Sequence, residues 1–326
     1  MALIDPPAPA PELSILVVGY NAADWLQRCL DSLDSAGRPS CSFEVIVVDN
    51  ASNPPLASVT RLPEQCRMVT LAENIGFGNG VNAARSFARG RRLLLLNPDV
   101  EVPPRSLDGL LRFHAAHPDA GIVGGGIQSH DGRVDVRNAF AQPTLWSQVC
   151  FATGASTALP RSATFNPEAI PNWDRTTARP VGVVTGCCML LEAELFDELG
   201  GFDPLFFLYG EDVDLCRRAA ELGYAPTVTP DASIIHEFGA SSTPARKRIL
   251  VLRGKATLYR KWGRRRTWVL SRALLATGVA LRALLERLTH SSDRSWTGAW
   301  RAREDWIDGW TGPPVPAVVL GDSSSD

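Results

Sequence analysis

Two groups of acidic residues in this chain of 326 residues have the types and spacing that metal binding and general-base catalysis require. Asn97-Pro98-Asp99 follows the apolar run 93–96, where a buried strand is predicted to end. A carboxylate in that position can hold Mg²⁺ or Mn²⁺, and such an ion neutralises the charge that develops on a departing diphosphate. The second group, Gly210-Glu211-Asp212-Val213-Asp214, opens a predicted helix. One of its acids can accept a proton from an attacking hydroxyl.

Each group also has a structural explanation that the residues alone leave open. Asn-Pro-Asp is a common turn sequence, and acids in the first turn of a helix interact favourably with the helix dipole. Function is favoured for the first group because Gly19-Tyr20-Asn21 and Asp49-Asn50 also follow apolar runs. In doubly wound sheets, ligands gather at the carboxyl ends of strands. For the second group, the preceding aromatic stretch 206–209 predicts a partly dry wall that suits a sugar.

Apolar runs and helical periodicity alternate along the first half of the chain at the spacing of βαβ units. Strands are predicted at 13–19, 43–48, 67–71, 92–96 and 122–127, and helices at 24–36, 80–89 and 105–117. The fold class is therefore α/β, with a mostly parallel central sheet covered by helices on both faces.

Periodicity fades between 131 and 180, where we expect an irregular region that covers the site. Order returns in a run at 181–191, a helix at 211–222, strands at 225–228 and 233–236, and a helical region at 250–288. The predicted organisation is a tail (1–12), an α/β domain (13–245), a basic and amphipathic helical extension (246–310) and a disordered tail (311–326).

The composition is that of an ordinary soluble globular protein, with 45% hydrophobic and 21% charged residues. The N-terminus has no basic-then-apolar pattern, and the seven cysteines are scattered without a C-x-x-C pair. We therefore expect a cytoplasmic protein with reduced thiols, and neither a secreted disulfide framework nor a zinc site.

The net charge of −2 hides a strongly basic segment. Eleven Lys and Arg residues and no acid lie between Arg246 and Arg272, so the remainder carries 22 basic and 35 acidic residues. Six leucines share one helical face at positions 270, 274, 281, 284, 285 and 288. Basic residues beside an apolar face are typical of a helix that lies on an anionic membrane. The alternative is a helix packed on the α/β domain or on the partner of a homodimer.

Two further patterns are less specific. Gly76-Phe77-Gly78-Asn79-Gly80 does not complete G-x-G-x-x-G, because Val81 stands at the last position. A nicotinamide-binding fold is therefore disfavoured, whereas a glycine turn beside a nucleotide stays open. His236 ends an apolar strand. A histidine in such a place is more often structural, although a neutral imidazole is a good ligand for Mn²⁺.

Taken in order, these motifs resemble those of family 2 inverting glycosyltransferases of the GT-A fold, and most of all a bacterial rhamnosyltransferase-like subgroup. The resemblance runs from about Leu13 to Ser242. It rests on the segments SILVVGYN (14–21), VVDNAS (47–52), ENIGFGNGVN (73–82), LLLNPDV (94–100), TGCCMLL (185–191), GGFDPLFFLYGEDVDLCRRA (200–219) and HEFGAS (236–241).

The resemblance implies a role for each site residue. Asp212 would be the catalytic base, and Asp99 and His236 would bind Mg²⁺ or Mn²⁺. The donor nucleotide would be bound by Tyr20, Asn21, Asp49, Asn74, Gly76 and Asn97. The acceptor or sugar pocket would be formed by Gly186, Tyr209 and Glu211. Asn97 is a departure, because many members have Asp there, and it leaves the metal one carboxylate fewer.

The implied reaction is metal-assisted transfer of a sugar, with inversion, from a nucleoside diphosphate to a hydroxyl group. For this subgroup we expect L-rhamnose from dTDP-rhamnose and a lipid-linked saccharide or polysaccharide precursor, on the inner face of the plasma membrane.

Two other classes of protein remain as alternatives. A non-catalytic nucleotide- or carbohydrate-binding protein of the same fold would need no base, so the presence of both Asp99 and Asp212 argues against it. A nucleic-acid-binding protein could use the basic segment, but few aromatic residues are interleaved there, and no nucleic acid is expected.

Overall fold

The computed structural model describes residues 9–236, 244–290 and 292–312. The strands are β1 (Leu13–Gly19), β2 (Phe43–Asp49), β3 (Cys66–Thr70), β4 (Arg92–Leu96), β5 (Val100–Glu101), β6 (Ile122–Gln128), β7 (Val134–Asp135), β8 (Ala139–Phe140), β9 (Arg179–Pro180), β10 (Val183–Val184), β11 (Cys188–Glu192) and β12 (Thr227–His236). The α-helices are α1 (Ala23–Asp34), α2 (Phe77–Arg85), α3 (Ser106–Ala116), α4 (Leu145–Ala152), α5 (Ala155–Ala158), α6 (Ala193–Glu198), α7 (Glu211–Glu221), α8 (Pro244–Trp262), α9 (Arg265–Leu288) and α10 (Ser295–Arg301).

The central sheet has the strand order β3-β2-β1-β4-β11-β6-β12-β5, with β7 and β9 paired to β6 and β12. Strands β3, β2, β1 and β4 are parallel neighbours. Strand β11 runs antiparallel to both β4 and β6, and β6 and β12 are again parallel. The predicted α/β class with a mostly parallel sheet is confirmed.

The strands are apolar on both faces because helices cover both sides. Leucines of α1 and α3 pack on one face, together with alternate residues of β1, β2 and β4. Helices α2, α6 and α7 cover the other face, where Phe196, Phe202 and Leu215 are fully or almost fully buried. The register of β1 with β2 and β4 therefore fixes which polar residues leave the sheet at its carboxyl edge.

Three predicted elements differ from the observed ones in continuity, and α2 begins and ends three to four residues before the predicted helix 80–89. The ordered run 181–191 is two strands, β10 and β11, separated by a turn at Thr185-Gly186-Cys187. The two strands at 225–228 and 233–236 are the single strand β12, with an irregularity between Thr229 and Ser233. The helical region 250–288 is interrupted at Gly263 and Arg264, where the backbone of Arg264 is extended. Glycine lowers helix stability, and α9 begins anew after it.

The C-terminal helices pack on the α/β domain through a separate apolar cluster. Phe206 from the aromatic stretch lies in that cluster with Tyr259 of α8, Val279 of α9 and Trp306. The predicted tails lie largely outside the described residues, as do the last five residues of the segment 236–241.

Candidate active site

The sheet brings the predicted site residues to one edge. Strands β1, β2 and β4 are adjacent and parallel, so Tyr20, Asp49 and Asn97 follow or end strands at the same edge. Cys188 pairs with Leu96, and this places the 185–187 turn beside Asn97. The backbone N–H of Asn97 donates to the carbonyl of Cys187 at 3.1 Å. The carboxyl end of β12, with His236, lies at this edge as well.

Asp99 and His236 are 137 positions apart in the sequence but meet in the structure. Strand β5 starts immediately after Asp99 and pairs antiparallel with the end of β12, so that Val100 lies opposite His236. Asp99 Oδ1 lies 3.0 Å from His236 Nε2. Oδ1 is buried and receives no hydrogen bond of regular geometry from the described residues. The 3.0 Å approach is thus a close polar contact rather than a well-aligned hydrogen bond.

This pair fits a divalent cation that a nucleotide also ligates. Carboxylate oxygen and imidazole nitrogen suit Mn²⁺, and Mg²⁺ is usually held by one or two carboxylates together with phosphate oxygens. No group of three or more His, Cys, Asp or Glu side chains that could enclose a metal is found among the described residues. One carboxylate and one imidazole match an ion that takes its remaining ligands from a diphosphate.

Asp212 lies in the first turn of α7, which follows the left-handed residues Tyr209 and Gly210. Its Oδ1 accepts a hydrogen bond of 2.8 Å from the amide of Val213. Burial raises the pKa of Asp212 to about 6, and backbone donors, including the amide of Gly186, hold it below a still higher value. The turn between β10 and β11 therefore orients the carboxylate of Asp212, the residue expected from the sequence to be the base.

Glu211, the neighbouring acid, has a different environment. It is 5% exposed, and its Oε2 has no hydrogen-bond partner in the described part of the chain. Burial, followed by the negative charge of Asp212, raises the pKa of Glu211 to about 8. Near neutral pH, Asp212 is thus the acid of this pair that can be ionised and can accept a proton.

The negative charges of Asp99 and of the acids at the start of α7 raise the pKa of the same neighbouring residues. Burial raises the pKa of Tyr209 to about 12, and the charges of Glu211, Asp99 and Asp212 add to that shift. Burial likewise raises the pKa of Cys187 to about 12, with smaller contributions from Asp212 and Asp99. Asp99 and the first turn of α7 therefore lie close enough for their charges to act on the same two residues, Tyr209 and Cys187.

The loops on the donor side are held by side chains of the site itself. Asp49 is fully buried, and its two carboxylate oxygens accept from the amides of Ser52 and Leu56 at 2.9 and 2.7 Å. In the structure its role is to shape this loop; a direct contact with the ribose or base stays a prediction. Tyr20 is 48% exposed and free to contact a ligand. The side chain of Asn21 accepts from the amide of Asn53 at 2.8 Å.

Gly76 joins the donor loop to the aromatic stretch. Its φ is +87°, and a Cβ atom there would come within 2.0 Å of the carbonyl oxygen of Phe207. Asn74 accepts from the amide of Gly76 at 3.0 Å. Close backbone approach, not a dinucleotide fingerprint, therefore explains this glycine.

Three asparagines hold the loops of the site by hydrogen bonds, although the sequence motifs assigned no individual role to them. Asn50 donates to the carbonyl of Gly76 and accepts from the amide of Ile75. Asn79 donates to the carbonyls of Ile75, Pro204 and Phe206, and Asn82 makes two hydrogen bonds with the backbone of Phe202. Asparagine is uncommon inside helices, so its presence at positions 79 and 82 of an otherwise buried helix was the available signal.

Comparisons with known proteins identify the family and the fold of the chain. A sequence model described as Glycosyl transferase family 2 matches residues 14–200. An N-acetylglucosaminyl-diphospho-decaprenol L-rhamnosyltransferase of Mycobacterium tuberculosis is 30% identical over 252 residues, which cover 71% of this chain and 77% of the relative. An O-antigen biosynthesis protein of Myxococcus xanthus is 32% identical over 71% of this chain but 18% of its own length.

Among solved structures, a mannosyltransferase from Pyrobaculum calidifontis in complex with GDP-Man and Mn²⁺ has a similar fold. The TM-score is 0.51 at 17% sequence identity, and the match covers 93% of this chain and 86% of that one. Fold and sequence together define a glycosyltransferase of the GT-A class. The chain belongs to glycosyl transferase family 2.

Proposed function

We propose that this enzyme transfers L-rhamnose from dTDP-rhamnose to a hydroxyl of a lipid-linked saccharide, with inversion at the anomeric carbon. The observation that carries this proposal is that the turn at Gly186 lies beside Asn97-Pro98-Asp99 and the Gly186 amide donates to Asp212, so the proposed base and the proposed metal ligand lie at the same edge of the sheet. The choice of sugar and acceptor is supported by the mycobacterial relative, whose name states an L-rhamnosyl transfer to an N-acetylglucosaminyl-diphospho-lipid.

In this proposal, Asp212 accepts the proton of the acceptor hydroxyl while that oxygen forms its bond to the anomeric carbon. The bond between the anomeric carbon and the diphosphate oxygen breaks in the same step, and the nucleoside diphosphate leaves. Asp99 and His236 would hold the divalent ion, which neutralises negative charge on the leaving group when it is bound. Tyr20, Asn21 and Asn97 would position the nucleotide at the edge of the sheet.

The direct test is transfer by the purified full-length chain from dTDP-rhamnose to N-acetylglucosamine linked through diphosphate to a short polyprenol. UDP-N-acetylglucosamine and GDP-mannose serve as competing donors, and Asp212→Asn serves as the inactive control. We expect a rhamnosylated product whose anomeric configuration, read by NMR, is opposite to that of the donor. A product that retains the configuration contradicts the mechanism, and preference for another donor contradicts the choice of sugar.

We also propose that the enzyme works on the cytoplasmic face of an anionic membrane, where a lipid-linked acceptor would lie. Helix α9 supports this location, because four of the six leucines of its apolar face are exposed: Leu270, Leu284, Leu285 and Leu288 are 45, 52, 48 and 67% exposed. Leu274 and Leu281 are half-buried. A different face packs on protein: it carries Leu275 and Val279, which lie in the apolar cluster, and the buried, hydrogen-bonded Arg282 and Glu286. A helix that only packed on its own domain would bury the leucines.

The charges around α9 agree with an interfacial position. Arg264, Arg265 and Arg266 are exposed at its start, and basic residues near an anionic leaflet contribute about 1 kcal/mol each. Helix α9 has 24 residues and an apolar window that meets the length and composition of a membrane span, of which 33% is buried in the protein. The buried Arg282 and the packing on α4 and α10 favour a helix that lies on the membrane over one that crosses it.

A further inference from the structure

Helix α8 contacts the chain on both sides of Asp212. On the N-terminal side, a Cβ atom at Gly254 of α8 would lie 2.1 Å from the carbonyl oxygen of Tyr209, so the two backbones are in close contact. On the C-terminal side, Lys261 Nζ of α8 lies 2.6 Å from Asp214 Oδ1. These two contacts are three residues before and two residues after Asp212. The first turn of α7 is therefore held by α8 at both ends.

The contact at Asp214 is a buried network of charged and polar groups. The side chain of Asp214 is fully buried. Its Oδ2 accepts from Arg218 at 2.8 Å, and its Oδ1 accepts from the indole of Trp262 at 2.9 Å as well as lying beside Lys261. Lys261 also pairs with Asp203 at 2.6 Å. Because charge-assisted hydrogen bonds are short and directional, this network fixes the start of α7 against the end of α8.

The turn before α7 needs such a support. Tyr209 and Gly210 both have a left-handed backbone, with φ of +66° and +102°. A residue with a side chain keeps this conformation only where the surrounding structure holds it. Gly254 gives α8 direct access to the carbonyl of Tyr209, and Phe206 of the same aromatic stretch lies in the apolar cluster with α8 and α9. The C-terminal helices therefore hold the turn that leads into the base.

The position of the base is critical for its action. A general base must lie within hydrogen-bond reach of the proton that it accepts, and a displacement of about 1 Å can lower the rate on the order of 100-fold. The α/β domain holds Asp212 through the amide of Gly186. Along the chain, the neighbours Tyr209 and Asp214 hold it through their contacts with α8. The place of the carboxylate relative to the sheet thus depends on how α8 is docked.

We infer that α8 positions the catalytic base, with Lys261 and Gly254 as positioning residues that act through Asp214 and Tyr209. The inference rests on the proposed function, because it assumes that Asp212 is the base. It gives the C-terminal helices a part in the transfer step itself, separate from membrane binding by α9.

The test compares Lys261→Met with Lys255→Met. Both lysines lie on α8 and pair with a carboxylate of the α/β domain, Lys255 with Glu168 at 2.8 Å, and their side chains are 24 and 31% exposed. A role in stability alone predicts that both variants lower the Tm and keep the kcat for rhamnosyl transfer. A positioning role predicts that kcat falls roughly 10–100-fold in Lys261→Met alone, with the KM for the donor unchanged. Lys261→Arg, which keeps the charge, should recover most of the kcat.

Two further measurements report on the base itself. Backbone donors, including the amide of Gly186, lower the pKa of Asp212. A displaced first turn loses them, so the acidic limb of the kcat/KM profile should move to higher pH in Lys261→Met and stay in place in Lys255→Met. Hydrogen exchange needs no substrate. Relative to the central sheet, the first turn of α7 should lose protection in Lys261→Met and keep it in Lys255→Met.

A pair of glycine variants tests the second contact. Gly254→Ala and Gly109→Ala would place a Cβ atom 2.1 and 2.0 Å from a backbone carbonyl oxygen, that of Tyr209 and that of Asp231. Both glycines lie within helices, but Gly109 is in α3 and Asp231 is in β12. Both variants should lower the Tm, and only Gly254→Ala should lower kcat at saturating Mn²⁺.

Trp262→Phe removes one donor to Asp214 and keeps an aromatic ring, so it decides if the stronger variants do not fold; it should lower kcat by a smaller factor. If the folded variants at Lys261, Gly254 and Trp262 keep the kcat of the wild type, the inference is wrong and the proposed function stands. If the wild type transfers no rhamnose, or Asp212→Asn is as fast as the wild type, the proposed function fails. Hydrogen exchange of the first turn of α7 then decides alone: equal protection in Lys261→Met and Lys255→Met would show that α8 does not position it.

Discussion

Asp212 and Glu211 are adjacent in the first turn of α7, but their surroundings give them different protonation states. Backbone donors stabilise the ionised form of both, but Glu211 has a buried oxygen without a partner in the described part of the chain, and the charge of Asp212 raises its pKa further. Environment, rather than residue type, thus separates the base from its neighbour.

The first prediction concerns the identity of the base. Asp212→Asn should lower the rate about 10²–10⁴-fold, the usual contribution of a general base, and should leave donor affinity unchanged. Because Asp212 must be ionised, the kcat/KM of the wild type should fall as the pH drops below about 6, the pKa of this carboxyl group. Glu211→Gln should keep most of the activity. An inactive Glu211→Gln beside an active Asp212→Asn would show that the other acid is the base.

The second prediction concerns the stability of the fold at high pH. The folded state holds the pKa of Glu211 near 8, above its ordinary value of 4.5. The folded protein therefore binds this proton more tightly than the unfolded chain, and stability is lost as the pH rises from about 4.5 through 8. Glu211→Gln removes this loss, so its Tm should match that of the wild type at pH 5 and exceed it at pH 9.

Asp214→Asn is the contrasting variant for that experiment. Asp214 is fully buried and paired with Arg218 and Lys261 at 2.8 and 2.6 Å. Removing its charge takes the carboxylate partner from Arg218 and leaves Lys261 with Asp203 alone, which is destabilising. Its Tm should be lower than that of the wild type at both pH values. A Tm difference between Glu211→Gln and the wild type that does not change with pH would contradict the second prediction.

The third prediction is that Asp99 and His236 set the affinity for the divalent ion. Asp99→Asn and His236→Gln should each weaken Mn²⁺ binding in the presence of the nucleoside diphosphate, by roughly 10–100-fold or more for a direct ligand. Binding is measured by electron paramagnetic resonance of free Mn²⁺, and activity by the metal concentration that gives half-maximal rate. Asp31→Asn, an exposed carboxylate paired with Arg61, is the control. Folded variants with unchanged Mn²⁺ affinity would leave the Asp99–His236 contact a structural one.

At the scale of elements, the hydrogen bonds and close packing of the donor loop against the aromatic stretch decide the shape of the site. The amide of Phe77 donates to the carbonyl of Phe207 at 3.0 Å, beside the glycine that permits this approach. We therefore expect a change in either loop to disturb the other.

The fourth prediction separates backbone strain from this contact. Gly76 and Gly132 both have positive φ, at +87° and +77°, but a Cβ at Gly132 would meet nothing within 4 Å. Gly132→Ala should cost only the strain of the left-handed backbone, on the order of 1 kcal/mol. Gly76→Ala adds a collision with the carbonyl of Phe207, so it should be clearly less stable in urea and should raise the KM for the donor. Equal losses in the two variants would mean that the contact does not matter.

The longer strands and their succession along the chain were predictable from sequence, because a strand buried on both faces is a short, continuous apolar run. Strand β4 was predicted with its observed bounds, and β1 likewise. The turn at Gly186 was not predictable, because the apolar run 181–191 contains no residue that forces a break. The meeting of Asp99 and His236 was not derivable from spacing either, because it depends on the non-local pairing of β5 with β12.

At the scale of the whole molecule, the C-terminal helices join the α/β domain by polar and apolar contacts. Lys261 pairs with Asp203 and Asp214 at 2.6 Å each, and Trp262 donates to Asp214 at 2.9 Å. Several basic residues of the segment 246–272 are thus used within the protein, including Arg248, Lys255 and Arg272. The basic charge of the segment 246–272 therefore overstates what is available to a partner, and the exposed arginines at 264–266 are the part that matters.

The last prediction is that α9 binds anionic membranes through its exposed leucines and these three arginines. The full-length wild type should float with vesicles that contain anionic lipid at low salt, and binding should weaken at high salt because surface charges are screened. Leu284→Ser combined with Leu288→Ser should reduce binding at least about tenfold, since burying a leucine contributes about 1.5–3 kcal/mol. It should not lower the Tm, because both side chains are exposed in the folded protein. Arg264, Arg265 and Arg266 changed together to Glu should abolish the dependence on anionic lipid.

Leu222→Ser, at the end of α7 and 50% exposed, is the matched control and should bind vesicles like the wild type. A homodimer is the competing occupant of the leucine face, and sedimentation of the same variants distinguishes it. If the wild type ignores anionic vesicles and sediments as a dimer that the double leucine variant dissociates, α9 is a subunit interface. Loss of vesicle binding in a variant whose oligomeric state is unchanged identifies the leucine face as the membrane surface, because lipid is then the only partner removed.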